Sequence, residues 1–302
     1  MAADALDALR LRVITFNIRY AAPGGTYEKP WSVRGPLVVG ALSRLAAEAG
    51  AAGAVPVIGL QEALHAQLAD VAGGLGPAWQ HIGTGRDDGR EAGEYCPLLY
   101  QPGRARLLAS TQKWLSPTPD VPSYWPGAGS RRYVLVGVFE EATGNGTGNG
   151  TGNGTGRPRR FIAANTHLDN ASSRARAEGV GIILRVLRDA QAQWGPGLPV
   201  ALSGDFNSAP GEDAYAALAA DGYLRDAREL AAAGARFGPY ETYTGFAPGT
   251  AASRIDFVWA GPDDAAAAVL WDVARYEVVD NVVDGVRMSD HRPVFADLTL
   301  KA

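Results

Sequence analysis

The chain reads as an α/β protein built on two mixed sheets. Strands alternate with helices at the start, strands pair as hairpins in the middle, and strands return toward the C-terminus. That order argues against one parallel, doubly wound sheet.

Each element has its own signal. LRLRVITFNIRY places Val13, Thr15 and Asn17 on one face and Ile14, Phe16 and Ile18 on the other, which predicts a buried strand ending at Asn17. GPLVVGALSRLAAEAG then sets Leu37, Val38, Ala41, Leu42 and Leu45 at helical spacing, with Gly50 as the stop signal. VPVIGLQEALHAQLADVAGGL repeats the unit: a short apolar strand leads through Glu62 into a helix carrying Leu64, Leu68 and Val71. YCPLLYQ and ARLLASTQKWLS read as strands divided by a Pro-Gly turn, and RYVLVGVFEE and RRFIAANTHLDN as a hairpin whose second strand ends at His167. Over 172–193 the spacing of Ala175, Val180, Ile183, Leu184 and Leu187 predicts a long amphipathic helix. LPVALSGDFNSAPGEDAYAALAADG gives strand, loop and helix, and SRIDFVWA, YEVV and VFADLTL give the final strands.

The hairpin loop at 144–156 is a Gly-Asn-Thr repeat with sequons at Asn145, Asn149 and Asn153; Asn170-Ala-Ser is a fourth outside it. A repeat of this composition cannot bury apolar surface, so it is expected to be a mobile loop. It joins two adjacent strands, no linker is evident, and residues 1–302 are expected to form a single domain.

Composition narrows the function. An apolar fraction of 46% and a charged fraction of 20% are those of a soluble globular protein, and no apolar run is long enough to span a bilayer. The formal net charge of −4 lacks the basic excess that suits a long nucleic acid, so a small anionic substrate fits better. Cys96 is the only cysteine, which excludes an intramolecular disulfide and any cysteine-built zinc site, and it reads as a small buried hydrophobe. The N-terminus MAADALDALRLRV has no apolar signal region, making a cytoplasmic location the default, although a mature secreted form would read alike.

The polar residues stranded at the ends of apolar strands are Asn17, Glu62, His167, Asp205, Asn207, Asp256, Asp290 and His291. One alone would be an ordinary turn residue. Eight placed alike point to a site, because strand ends on one edge of a sheet are where α/β sites assemble. Carboxylate and amide oxygens suit a hard cation such as Mg²⁺ or Mn²⁺, with water and phosphate completing its shell. No Gly-rich phosphate loop followed by Lys and Ser or Thr occurs, nor any Gly-x-Ser-x-Gly elbow, which disfavours nucleotide triphosphatases of that type and serine hydrolases.

TFNIRY, IGLQEA, NTHLDN, SGDFNSAP, RIDFVWA and SDHRPV resemble, in order and over nearly the whole chain, the endonuclease/exonuclease/phosphatase superfamily. The resemblance implies a four-layer α/β sandwich, two facing sheets flanked by helices, with the site at one end. It implies a Mg²⁺ site at Asn17, Glu62 and Asp290, with Glu62 the principal ligand. Asp205 and Asn207 match the residues that position and deprotonate the attacking water or bind the leaving side. His291 and His167 match the histidines on the phosphate, and Asp256 the carboxylate that orients His291.

The expected reaction is hydrolysis of a P–O bond by in-line attack of activated water. GTGRDDGREAGEYCPLLY resembles a stretch found in bacterial and fungal members, among them a maltose 6'-phosphate phosphatase. Arg86 and Arg132 could fork onto phosphate, and Glu94 or Tyr95 could line the pocket; Trp31, Trp114, Trp125 and Tyr124 are candidates for stacking a sugar or base. As plain structure, Arg86-Asp87-Asp88-Gly89 would be a charged turn. A sugar phosphate or nucleotide is the leading substrate class. The alternatives are a DNA or RNA nuclease, a lipid phosphodiesterase and a non-catalytic binding module, and no protein partner or membrane insertion is expected.

Overall fold

The computed structural model describes residues 8–142, 159–263 and 271–300, so the Gly-Asn-Thr repeat lies outside the described residues. One sheet holds β1 (Arg10–Asn17), β2 (Val55–Gln61), β3 (Gln80–Ile82), β4 (Leu98–Tyr100), β10 (Arg236–Phe237), β12 (Trp271–Val278) and β15 (Val294–Leu300). Its order is β10-β12-β15-β1-β2-β4-β3. The other holds β5 (Ala105–Trp114), β6 (Tyr133–Glu141), β7 (Arg160–His167), β8 (Val200–Asp205), β9 (Arg225–Asp226) and β11 (Asp256–Gly261), ordered β5-β6-β7-β8-β11-β9. A small hairpin pairs β13 (Val282–Val283) with β14 (Val286–Arg287).

Period-two alternation separates the layers. Val13 and Val57 of the first sheet and Ala163, Ala201 and Val258 of the second meet in the core between the sheets. Their neighbours point outward: Ile14, Phe16 and Ile58 pack with Val38, Leu42 and Leu45 of α1 (Trp31–Ala51) and Leu68 and Val71 of α2 (His65–Leu75). On the far side Ile162, Leu202 and Trp259 pack against Val180, Ile183 and Leu187 of α3 (Ser173–Trp194) and Leu218 of α4 (Asp213–Asp221). Helices, sheet, sheet and helices make the four-layer sandwich, and the short α5 (Ala227–Leu230) packs against β11 and β12 with Ala227 in the core between the sheets. Among the described residues no helix is long and apolar enough to cross a membrane.

Two details differ from the sequence reading. Helix α1 begins at Trp31 and runs through Gly50, so Gly50 does not stop it. A Cβ there would come within 2.8 Å of Arg104 Nη2, so the glycine makes room for that side chain. The polar strand ends also belong to two facing sheets rather than to one edge.

Directly beneath those ends the inner faces turn polar. Gln61 Nε2 donates to Asn165 Oδ1 at 2.7 Å and to Thr15 Oγ1 at 3.0 Å, and Asn165 Nδ2 donates to Leu60 O and Pro97 O at 2.7 and 3.0 Å. Gly59 permits this approach, since a Cβ would sit 2.6 Å from Ser203 Oγ and 2.7 Å from Asn165. The two sheets are therefore joined by buried hydrogen bonds just below the polar end.

Candidate active site

Strand direction brings the eight residues together. β1 and β2 run parallel, as do β7 and β8, so Asn17, His167 and Asp205 close their strands at one end and Glu62 follows β2 there. β11 and β15 run antiparallel to these neighbours and start at that end: Asp256 pairs with Asp205, and the Asp290-His291 turn leads into β15. A cleft of about 620 Å³ opens over them, lined in part by Glu62, His167, Asp205, Asn207, Asp290 and His291.

Local geometry holds the carboxylates. Asn17 Nδ2 donates to Glu62 Oε1 at 3.1 Å and to Asp205 Oδ2 at 2.9 Å, linking the sheets. Tyr20 N donates to Glu62 Oε2 at 3.1 Å, and Arg19 N to Asn17 Oδ1 at 3.0 Å. Arg19, Glu62 and Asn207 all have positive φ, at 57, 60 and 46°. Apart from Asp284, they are the only non-glycine residues with positive φ among the described residues, and this backbone strain falls on the cleft. Asn207 N donates to Asp205 Oδ1 at 2.9 Å, while its Nδ2 donates to Leu168 O and lies 3.1 Å from His167 Nε2.

Asp256, His291, Asp205 and His167 form a buried cluster. His291 Nδ1 lies 2.8 Å from Asp256 Oδ2, and its Nε2 lies 3.7 Å from Asp205 Oδ2. His167 Nε2 approaches the same Asp205 oxygen at 3.3 Å. Burial opposes charge on His291, but Asp256 and Asp205 outweigh it and push the imidazole up to about 10. Burial and then Asp256 raise Asp205 to about 7, against the pull of His291 and Asn17. Burial, with Arg132 and Arg86 nearby, drives His167 well below the ordinary histidine value, so it is neutral.

Two donor sets could hold a cation. Glu62 and Asp290 face one cleft with Asn17 beside them, and burial together with the charge of Glu62 raises the Asp290 carboxyl. Two mutually repelling carboxylates with an amide suit a hard divalent ion. Asp205, Asp256 and His291 also bring ligand atoms within 4.8 Å of one another. There, however, His291 Nδ1 and Asp256 are engaged with each other.

The other sequence candidates separate. Arg132 lines the cleft. Arg86 does not: its Nη1 donates to Glu94 Oε2 at 2.5 Å. Tyr95 turns away and lines a different depression with His65 and His81, its hydroxyl donating to Arg90 O and lying 2.9 Å from His65 Nδ1. GRDDG is a folded wall, in which Asp88 accepts from Arg90 N and Ala92 N and Asp87 from Arg131. None of the four proposed stacking aromatics lines the cleft: Trp114 is core, Trp31 donates to Asp70, Trp125 packs under α3's layer and Tyr124 lies beneath Arg131. Tyr20 and Tyr243 line it instead, Tyr243 meeting the His291 ring edge-on at 5.0 Å. Cys96 is buried, which pushes its thiol up.

The sequence also passed over Ser289 and Thr242. Ser289 Oγ donates to Asn17 O at 2.6 Å and accepts from His291 N, and Thr242 Oγ1 accepts from Ile255 N and Asp256 N. Ser289 opens SDH, which was its only available signal, whereas Thr242 lies twelve residues before RID and had none.

The endonuclease/exonuclease/phosphatase family model matches residues 14–291. The chain belongs to this family. Its members are phosphoesterase hydrolases. A family structure from Bacteroides vulgatus is 31% identical with a TM-score of 0.76, over 97% of this chain and 99% of that one. Another from Bacteroides thetaiotaomicron is 26% identical with a TM-score of 0.77, over 98% and 99%. A mannosyl-6-phosphatase from the same organism is 28% identical with a TM-score of 0.74, over 95% and 99%. No curated protein sequence matches the chain.

Proposed function

We propose that the chain is a Mg²⁺-dependent phosphomonoesterase acting as one catalytic unit on a small phosphorylated molecule, a sugar phosphate or nucleotide. Mn²⁺ would satisfy the same donors. The charge of the cleft carries this reading. Its lining contains Glu62, Glu94, Asp205, Glu212 and Asp290 against three cations, Arg19, Arg132 and His291. Both arginines already face carboxylates, Arg19 Glu28 at 3.3 Å and Arg132 Glu94 at 3.7 Å. Such a surface repels a polyanion and tolerates one phosphate neutralised locally. The likeness to a mannosyl-6-phosphatase supports the same class.

Asn17, Glu62 and Asp290 would hold the ion, which when bound supplies Lewis-acid neutralisation of phosphoryl charge. His291, cationic and oriented by Asp256, directs its Nε2 proton into the cleft toward a phosphoryl oxygen. His167 and Asn207 border the same position. Asp205, ionised above about 7, takes a proton from water as the oxygen bonds to phosphorus. The ester P–O bond breaks, and the leaving alcohol oxygen recovers a proton from solvent.

The test compares phosphate release from hexose 6-phosphates and nucleoside monophosphates with cleavage of bis(4-nitrophenyl) phosphate and single-stranded DNA, with Mg²⁺ and with chelator. Chelator-sensitive monoester cleavage supports the reading. Preference for either diester would overturn it.

A further inference from the structure

Glu94 and Arg132 line the cleft without a part in the chemistry just described. Glu94 Oε2 is approached by three nitrogens, of which Arg86 Nη1 alone is within hydrogen-bonding reach, at 2.5 Å. Arg132 Nη1 stops at 3.7 Å and His167 Nδ1 at 3.9 Å. Arg132 is only 8% exposed, yet its Nε and Nη1 are buried without a hydrogen-bond partner, and its Nη2 donates to Asn170 Oδ1 at 3.3 Å. Unmade bonds on a buried guanidinium are costly, and Arg132 lines the cleft, so a ligand that enters beside it can relieve that cost.

The wall is also rigid. Buried Asp169 accepts from the backbone N–H groups of Gly129, Ser130, Ala171 and Ser172, tying the segment before Arg132 to the segment carrying Asn170. Arg86 is spent on Glu94, so one guanidinium remains beside a carboxylate and an amide. That combination suits neutral hydroxyls, which donate to the carboxylate and accept from the guanidinium, better than a second anion.

We propose that Glu94, Arg132 and Asn170 form a polyol subsite that binds vicinal hydroxyls of the substrate beside its phosphate. It rests on the phosphomonoesterase reading and narrows that reading to phosphates that carry vicinal hydroxyls, as sugar phosphates and ribonucleotides do. Glu94 is then a specificity-determining residue, because a site built to bond a hydroxyl discriminates strongly against a ligand lacking it.

Titration calorimetry in Mg²⁺ with two kinds of non-hydrolysable probe tests this on the full chain: the C6 phosphonates of glucose and mannose, and cyclohexylmethyl phosphonate, a six-membered ring without hydroxyls. At least one sugar phosphonate should bind about 10- to 100-fold tighter than the hydroxyl-free probe. Glu94→Gln should collapse that ratio toward one. Equal affinities in the wild type, or an equal loss for both probes in Glu94→Gln, overturns the subsite. Should Glu94→Gln fail to fold, the wild-type ratio decides alone. Turnover is read separately: a sugar preference in binding without monoester hydrolysis would sink the reaction while leaving the subsite, and hydrolysis without the preference would do the reverse.

Discussion

His291 Nδ1 and Asp256 Oδ2 lie 2.8 Å apart across the junction of the two sheets, both residues buried. Asp256 opens β11 in one sheet and His291 precedes β15 in the other, so the contact exists only when the sheets are packed. The carboxylate fixes the ring and holds it cationic.

Asp256→Asn should therefore impair catalysis without unfolding the chain. The expected loss in kcat/KM is about 10²- to 10⁴-fold, by analogy with removing the orienting carboxylate of a catalytic histidine. The alkaline limb of the pH profile should also move down from about 10, since Asp256 is the largest influence raising His291. An unchanged alkaline limb would show that Asp256 does not govern this histidine.

The pH dependence of the wild type follows from the same groups. Activity should rise as Asp205 ionises near 7 and fall as His291 loses its proton near 10, two apparent values that belong to the coupled set. His291 has a folded value above its ordinary 6.5, so its charge stabilises the fold fully below 6.5 and that contribution fades as pH rises through about 10. Urea unfolding of wild type and His291→Ala at several pH values reads this directly. A stability gap that widens with pH would contradict it.

Glu62→Gln keeps the side chain's shape and removes its charge. Mg²⁺ affinity should fall at least about 10- to 100-fold, beyond what loss of an outer-shell partner costs. The rise in melting temperature on adding Mg²⁺ should shrink accordingly, because a ligand of the native state stabilises by mass action. A variant that retains the wild-type Mg²⁺ response would place the ion elsewhere, with Asp205, Asp256 and His291 as the next set to test.

Arg34 is fully buried in α1 and donates to the carbonyls of Ile18, Arg19, Tyr20, Lys29 and Met288. It clamps the loop whose Tyr20 N holds Glu62 to the turn that carries Asp290. Arg34→Met should cost about 3–5 kcal/mol, since it strips several buried carbonyls of their charged donor at about 1–3 kcal/mol for each left unsatisfied. Chemical denaturation measures the loss, and a change below about 0.5 kcal/mol would mean that those carbonyls find other partners.

Hydrophobic periodicity located the main strands and helices because burial on alternate faces is written residue by residue. β1 shows it, with Val13 in the core between the sheets and Ile14 beneath the helices. Short strands such as β9 and β10 carry too few residues for a period and escaped notice. Residue type and position at strand ends were enough to single out eight polar residues, six of which line one cleft while Asn17 and Asp256 lie buried behind it.

Neighbour relations were not legible in the same way. Arg86 and Arg132 look equivalent as phosphate ligands in the sequence, yet Arg86 lies outside the cleft, paired with Glu94, while Arg132 lines it. Tyr95 follows Glu94 but faces the opposite way, as successive residues in extended chain do. The sequence by itself determined the layers, the strand ends and the chemistry they could host, since these follow from local pattern and side-chain type. Only the tertiary structure decided which charges meet, and therefore that Asp205 is raised while His291 is held cationic, because burial and pairing between distant segments exist only after the two sheets pack.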